Sequence, residues 1–137
     1  MYWYLQVIRY NYANFSGRAR RKEYWMFVLV QLIIVGLTIS YASLVEDFFE
    51  PDFVFSILSI YFVGTLVPWL ALNVRRLHDI NKSGTYVFIN LIPVIGRIWY
   101  IVLVATEGDF GTNNYGPDPK LDYSDDIDDI GKIEQEY

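Results

Sequence analysis

Three long runs of apolar residues divide the chain, and the charged residues collect between them. The runs cover residues 25–45, 53–74 and 85–105. A helix of about 20 residues rises about 30 Å, which is the thickness of the hydrocarbon core of a bilayer. The pattern therefore predicts an all-α membrane protein, a small bundle of about three transmembrane helices that forms a single domain over residues 1–120.

The third run is less uniform than the other two. It contains Asn90, Pro93, Gly96 and Arg97, and proline and glycine both interrupt helices. Full crossing is favoured, but a broken or re-entrant segment fits the same residues. The side of the membrane that holds the C-terminal tail therefore stays open.

The two ends of the chain have opposite characters. Residues 1–15 are crowded with aromatic side chains, and this predicts an N-terminal helix lying at the membrane interface. Residues 121–137 hold seven acids and one base, Lys132, which account for more than the whole net charge of −5. This segment is thinly apolar, so we expect a disordered acidic tail.

Composition excludes several classes of function. The chain has no cysteine and a single histidine, which rules out thiolate metal sites, disulfides and a two-histidine metal helix. No basic stripe is present for nucleic acid. Calcium-loop spacing also fails, because a loop begun at Asp126 puts Tyr137 where glutamate is required. We expect no cofactor and no metal.

The basic residues predict the orientation. They precede the first run and follow the second, whereas residues 46–52 hold four acids and no base. Because basic segments stay in the cytoplasm, the chain is predicted to be a multi-pass protein with a cytoplasmic N-terminus. The cluster before the first run is also a candidate for binding anionic lipid headgroups, unless it is a topology signal only. It consists of Arg18, Arg20, Arg21 and Lys22.

A second charged group follows the second run, in residues 75–84, which we expect to be a polar loop. It comprises Arg75, Arg76, His78 and Asp79. At i+3 and i+4, Asp79 is spaced to pair with the two arginines, which predicts a charged clamp at the end of the second span. The basic cluster before the first span, with Glu23, is a further candidate partner for this clamp. Catalysis by His78 with Asp79 is the alternative, although adjacent helical residues point about 100° apart.

Four polar residues lie within the apolar runs: Gln31, Asn73, Asn90 and Arg97. A charge inside a membrane is a candidate functional group by default. Arg97 has no acid within the spans as a partner, and the residues before it can break the helix. Snorkelling to an interface is therefore the favoured interpretation, with a polar transport path as the alternative.

Four motifs in order are similar to one known family. YANFSGRARRKEYW, RRLHDINKSG, LIPVIG and YGPDP resemble the domain of unknown function 805 family, the YhaH-type bacterial inner-membrane proteins, over about residues 1–120. The resemblance implies an inner-membrane location and a helical architecture, but no activity. Members usually have glycine where this chain has Asn81, a tryptophan pair near Thr85 and Tyr86, and an apolar or aromatic residue at Arg97.

The sequence thus favours a non-enzymatic structural or interaction component of the cell envelope. Its expected partners are the lipid bilayer, including anionic lipids, and a second copy or another envelope protein. Small residues form stripes on the first two spans that another helix could approach: Gly36, Ser40 and Ser43 on the first, and Ser56, Ser59 and Gly64 on the second. The alternatives are a small transporter or lipid-handling subunit, and a membrane enzyme that uses His78 and Asp79.

Overall fold

The computed structural model describes residues 2–44 and 51–121, and this part of the chain is helical and contains no strand. The all-α prediction is therefore confirmed. The predicted acidic tail lies outside the described residues apart from Leu121, as does the acidic connection at 46–50. The elements are α1 (Tyr2–Leu5), a π-helical segment (Gln6–Tyr10), α2 (Arg21–Leu44), α3 (Pro51–Asp79), a 3-10 helix (Gly84–Leu91) and α4 (Ile95–Ala105).

Helices α2 and α3 correspond to the first two apolar runs. With 24 and 29 residues, they extend about 36 Å and about 44 Å, so each is long enough to cross a bilayer. Only 6% of the most apolar window of either helix is buried within the chain. A core helix of a soluble protein would be mostly buried, so the exposed apolar faces of these helices need lipid or another helix as their surroundings.

Helix α3 continues beyond the predicted end of the second span. It ends at Asp79 rather than Val74, so the charged group at 75–79 stands on helical turns and not in a loop. Asn81, at φ 55°, provides the stop. The Lys82 N–H donates to the Leu77 carbonyl at 2.9 Å and the Asn81 N–H to the His78 carbonyl at 3.0 Å. These two bonds with a left-handed residue form a Schellman cap.

The third apolar run is interrupted, which is the form that the sequence left open. Between the 3-10 helix and α4, the Ile95 N–H donates to the Pro93 carbonyl at 2.7 Å around Val94, at φ 61° and ψ −70°. This is a γ-turn of the rarer positive-φ form. A Cβ on Gly96 would overlap the Ile89 carbonyl, so the two helical pieces approach closely here. Helix α4 has 11 residues and extends about 16 Å, too short to cross alone.

The contacts within the chain group its residues into two compact units, and the single domain over residues 1–120 stays a prediction. The first, the span unit, comprises Met1–Asn14 and Lys22–Leu72. In it the N-terminal segment is helical over residues 2–10, as predicted, and contacts the spans. Tyr4 stacks on the fully buried Phe27 with ring centroids 5.2 Å apart, and the Tyr12 hydroxyl donates to the Gly64 carbonyl at 2.7 Å. Its location at the membrane interface stays a prediction.

The second unit, the polar unit, comprises Phe15–Arg21 and Asn73–Tyr137, described here as far as Leu121. The Ala19 N–H donates to the Arg75 carbonyl at 3.0 Å, which joins the segment before α2 to the end of α3. The core of this unit mixes apolar and charged side chains, all buried: Ala19, Leu77, Ile80, Tyr100 and Val104 with Arg18, Asn73, Arg75, Arg76, Asp79 and Asp118.

Candidate functional site

Asp79, the last residue of α3, lies between two buried guanidinium groups. The Arg18 Nε donates to Asp79 Oδ1 at 2.9 Å, and the Arg76 Nη1 donates to Asp79 Oδ2. The side chains of Arg18 and Arg76 are 1% and 0% exposed, and that of Asp79 is 5% exposed. Both carboxylate oxygens of Asp79 therefore accept a hydrogen bond from an arginine.

Backbone carbonyls take up the remaining donors of the two arginines. Arg18 donates to the carbonyls of Gly111, at 2.5 Å, and Asp109. Arg76 donates to the carbonyls of Val104, at 2.9 Å, and Thr106. A buried guanidinium that lacked these acceptors would be strongly destabilising. The segment that follows α4 is therefore fixed to the end of α3 through the two arginines.

Close packing at Gly108 reinforces this attachment. A Cβ added at Gly108 would overlap the Asp79 carboxylate. The Asp109 N–H also donates to the Asp79 carbonyl at 2.8 Å. We refer to Arg18, Arg76 and Asp79 with the carbonyls of residues 104–111 as the Asp79 network.

The His78 ring contacts Tyr115 and Gly17. Its ring stacks on Tyr115, with centroids 3.8 Å apart and an interplanar angle of 6°. Its Nδ1 lies 3.2 Å from the Gly17 carbonyl. Since a carbonyl only accepts, the contact requires the proton on Nδ1. Asn113 donates to the His78 carbonyl at 2.9 Å, so the loop is held on this side as well.

Asp118, in the YGPDP motif, forms hydrogen bonds within the segment that follows α4. Its buried carboxylate accepts from the Gly111 N–H at 3.2 Å and from the Lys120 N–H at 2.9 Å. The adjacent Asn113 and Gly116 form an isolated antiparallel bridge. The motif therefore builds the rigid turn that presents carbonyls to Arg18.

The predicted basic cluster is split by the fold. Arg18 is buried in the Asp79 network, because it precedes the start of α2 and turns inward; a lipid headgroup cannot reach it there. Arg20 is half-buried, and Arg21 and Lys22 are exposed on the first turn of α2. In the predicted clamp, Arg76 pairs with Asp79 at i+3. The second arginine that binds Asp79 is Arg18, where the spacing predicted Arg75. The Arg75 side chain is buried as well.

A second, exposed ion cluster lies around Glu107. Arg21 approaches its carboxylate at 3.2 Å, and Lys120 forms a second ion pair with it. The hydrogen bond from Lys120, and then the charges of Lys120 and Arg21, hold the pKa of the Glu107 carboxyl below its usual value. Both partners are water-exposed, so this cluster is weaker than the Asp79 network.

The four polar residues of the apolar runs fall in different environments. In the span unit, Gln31 accepts from the Tyr61 hydroxyl. In the polar unit, Asn73 accepts from the Tyr100 hydroxyl at 2.5 Å. Asn90 is half-buried in the 3-10 helix, and Arg97 is exposed on α4. Within residues 2–44 and 51–121, Arg97 forms no ion pair.

The span unit carries one apolar groove of note, of about 360 Å³. Its lining comes from α2 and α3: Val28, Gln31, Leu32, Val35, Phe62, Thr65, Leu66 and Trp69. In the part of the chain that the structure describes, no group of three His, Asp or Glu side chains lies together as metal ligands would.

Comparison with known proteins identifies the family of the chain. The family described as "Protein of unknown function (DUF805)" matches residues 12–117. The inner membrane protein YhaI of Escherichia coli is 45% identical over 121 residues, covering 88% of this chain and 98% of the relative. The inner membrane protein YhaH of Escherichia coli is 42% identical over 125 residues, covering 89% and 99%. No solved structure matches the chain significantly. The chain belongs to the DUF805 family of membrane proteins.

Proposed function

We propose that this protein is a non-enzymatic component of the inner membrane that associates with a second copy of itself through its spanning helices. The observation that carries the proposal is Gly36, in the interior of α2. A Cβ at Gly36 would meet no atom within 4 Å, so packing among the described residues does not require glycine there. Glycine in a helix costs about 1 kcal/mol relative to alanine. Close approach of another helix would explain a glycine at this position.

Neighbouring residues extend the same surface. Ser40 and Ser43 follow at i+4 and i+7, share the face of Gly36, and are exposed. Leu32, one turn before Gly36, lines the apolar groove. A second helix lying against the small residues would therefore have an apolar recess beside it, with no charge to desolvate.

The alternatives have less support. The enzyme hypothesis needs a free carboxylate next to His78, but both Asp79 oxygens bind arginines. The transport hypothesis needs polar groups that face a common path, but Asn73 is bonded to Tyr100 and Arg97 is exposed on α4. Arg18, Arg76 and Asp79 are bonded to one another and to backbone carbonyls, so they act as structural residues. This favours a protein that functions by binding other molecules rather than by catalysis or transport.

We also propose that the N-terminus is cytoplasmic and that anionic lipids contact Arg21 and Lys22, with Arg20 beside them. Basic residues lie at the start of α2 and at the end of α3, whereas all the charged residues of the connection at 46–52 are acidic. Exposed bases at the start of α2 lie where lipid headgroups would meet them, each contributing about 1 kcal/mol.

Oxidative crosslinking tests self-association, since the chain has no cysteine. We expect Gly36→Cys and Ser40→Cys to form disulfide-linked dimers in native membranes. Tyr41→Cys is the matched control, because Tyr41 is also exposed but points about 140° away from Gly36 and about 100° away from Ser40. Equal crosslinking at all three positions, or a monomer on a blue-native gel after mild detergent extraction, would contradict the proposal. A co-purifying envelope protein in place of a dimer would replace the second copy as the partner.

A further inference from the structure

Both ends of the third apolar run are tied to the same place. At its beginning, the Lys82 N–H is bonded to the Leu77 carbonyl, on the last turn of α3. At its end, the Thr106 carbonyl accepts from Arg76, on the same helix end. The run leaves α3 and returns to it.

Arg18 adds a third part of the chain to this meeting point. It stands three residues before α2, and it binds Asp79, at the end of α3, and the carbonyls of Asp109 and Gly111, beyond α4. The residues before the first span, after the second span and after the third run therefore contact one another. A membrane cannot lie between groups that are hydrogen-bonded.

The length of the third run decides what it does between its ends. A segment that leaves and returns on one side crosses a bilayer either an even number of times or not at all. Residues 84–105 could extend about 33 Å as one straight helix, enough for a single crossing and far short of two. The γ-turn at Val94 and the close contact of Gly96 with Ile89 instead fold the segment back on itself.

The turn of this hairpin is apolar and open. No charged residue occurs between Gly84 and Gly96. The exposed fractions of Leu91, Val94 and Ile95 are 77%, 68% and 75%. Three large apolar side chains exposed at this turn would be unfavourable in water. Acyl chains are the surroundings that suit them.

From these observations we infer that residues 84–105 are a re-entrant hairpin. It inserts the turn at Leu91–Ile95 into the lipid leaflet on the side of Arg18 and Asp79, and residues 106–121 emerge on that same side. Arg97, two residues beyond Ile95, limits the depth, because its exposed guanidinium must stay within reach of headgroups. The chain then has two complete crossings. This inference is independent of which side is cytoplasmic and of self-association.

Sidedness of single cysteines tests the inference. Ala13→Cys and Thr112→Cys lie at exposed positions before α2 and after α4, and Asp47→Cys lies between the spans in the sequence. A membrane-impermeant maleimide should label positions 13 and 112 from one face, in spheroplasts or in inverted vesicles, and position 47 from the other. Labelling of position 112 together with position 47 would overturn re-entry, while leaving the crosslinking at Gly36→Cys unaffected.

The hairpin turn has its own test. An environment-sensitive fluorophore on Ile92→Cys should be quenched by lipids with brominated acyl chains and protected from aqueous iodide, whereas the same probe on Thr112→Cys should show the reverse. Arg97→Leu should increase quenching at position 92, because the limit on depth is removed. A probe at position 92 that iodide quenches as strongly as at position 112 would show that the turn lies in water and would refute insertion.

Discussion

The two units of the molecule differ in which side chains they bury and which they expose. The span unit leaves most of its apolar surface open and contains few internal polar bonds, such as the Tyr12 hydroxyl to the Gly64 carbonyl and Tyr61 to Gln31. The polar unit buries charged groups and satisfies them with one another and with carbonyls. In the first unit, stability depends on the surrounding lipid; in the second, it depends on internal pairing. Substitutions should therefore affect the two units by different rules.

Asp79→Asn should have the largest effect. It removes the charge that holds Arg18 and Arg76 and leaves two buried guanidiniums without a counter-ion, which costs about 3–5 kcal/mol. Thermal unfolding in mild detergent should show a large loss of stability and early proteolysis in residues 106–121. Asp109→Asn is the matched control, because its side chain is exposed and only its backbone joins the network. Equal stability of the two variants would show that the Asp79 network is not structural.

A methyl group should have opposite effects in the two units. Gly108→Ala places a Cβ against the Asp79 carboxylate, and overpacking of this kind costs about 1–3 kcal/mol. Gly36→Ala meets open space in a helix and should change stability of the monomer by at most about 1 kcal/mol, towards greater stability. Both are measured as shifts in the unfolding midpoint. A destabilised Gly36→Ala monomer would remove the contrast.

Val94→Gly should stabilise the turn of the hairpin. A β-branched residue at φ 61° is strained, and glycine adopts that conformation freely, so the gain should be about 1 kcal/mol. The matched variant Val102→Gly, at an exposed position inside α4, should instead lose roughly 0.5 kcal/mol. If both valines respond alike in an unfolding assay, the γ-turn at Val94 is not the strained feature that we describe.

The smallest effect concerns the exposed Glu107 cluster. The pKa of the Glu107 carboxyl is lower in the folded chain than in the unfolded one. Its ion pairs therefore contribute their full stabilisation above the ordinary glutamate pKa of about 4.3. The contribution fades as the pH falls through the lowered value, where the folded chain binds the proton. The difference in unfolding midpoint between the wild type and Glu107→Gln should therefore be small at pH 7 and disappear at low pH. It should also decrease with added salt. A difference in unfolding midpoint that increases as the pH falls would contradict this prediction.

Much of the span unit could be predicted from sequence, because lipid demands long apolar helices and the runs at 25–45 and 53–74 supply them. The end of α3 was missed, since Arg75–Asp79 are polar and read as a loop. Asn81 was a usable signal, because asparagine tolerates the left-handed conformation that its φ of 55° shows. The break near Pro93 and Gly96 was visible, although the γ-turn at Val94 was not.

The polar unit was less predictable because its contacts join distant parts of the chain. Spacing on one helix indicated the pair between Arg76 and Asp79. The contact of Arg18 with Asp79 spans 61 residues, and the acceptors of Arg18 are backbone carbonyls, which carry no residue signature. The possible meeting of the basic cluster with the charged clamp was the one sequence-based prediction that brought Arg18 near Asp79, and nothing in the sequence pointed to Asp118.

The reach of Arg18 also sets an order of events during biosynthesis. Its acceptors on Asp109 and Gly111 lie 91 and 93 residues later in the chain. At a translation rate of about 5–20 residues per second, the ribosome needs roughly 5–20 seconds to make them after Arg18 has appeared. Over that interval both spanning helices can enter the membrane while the arginine remains hydrated at its surface. The polar unit can therefore close only after residues 109–111 have been made, when both spanning helices have already been translated.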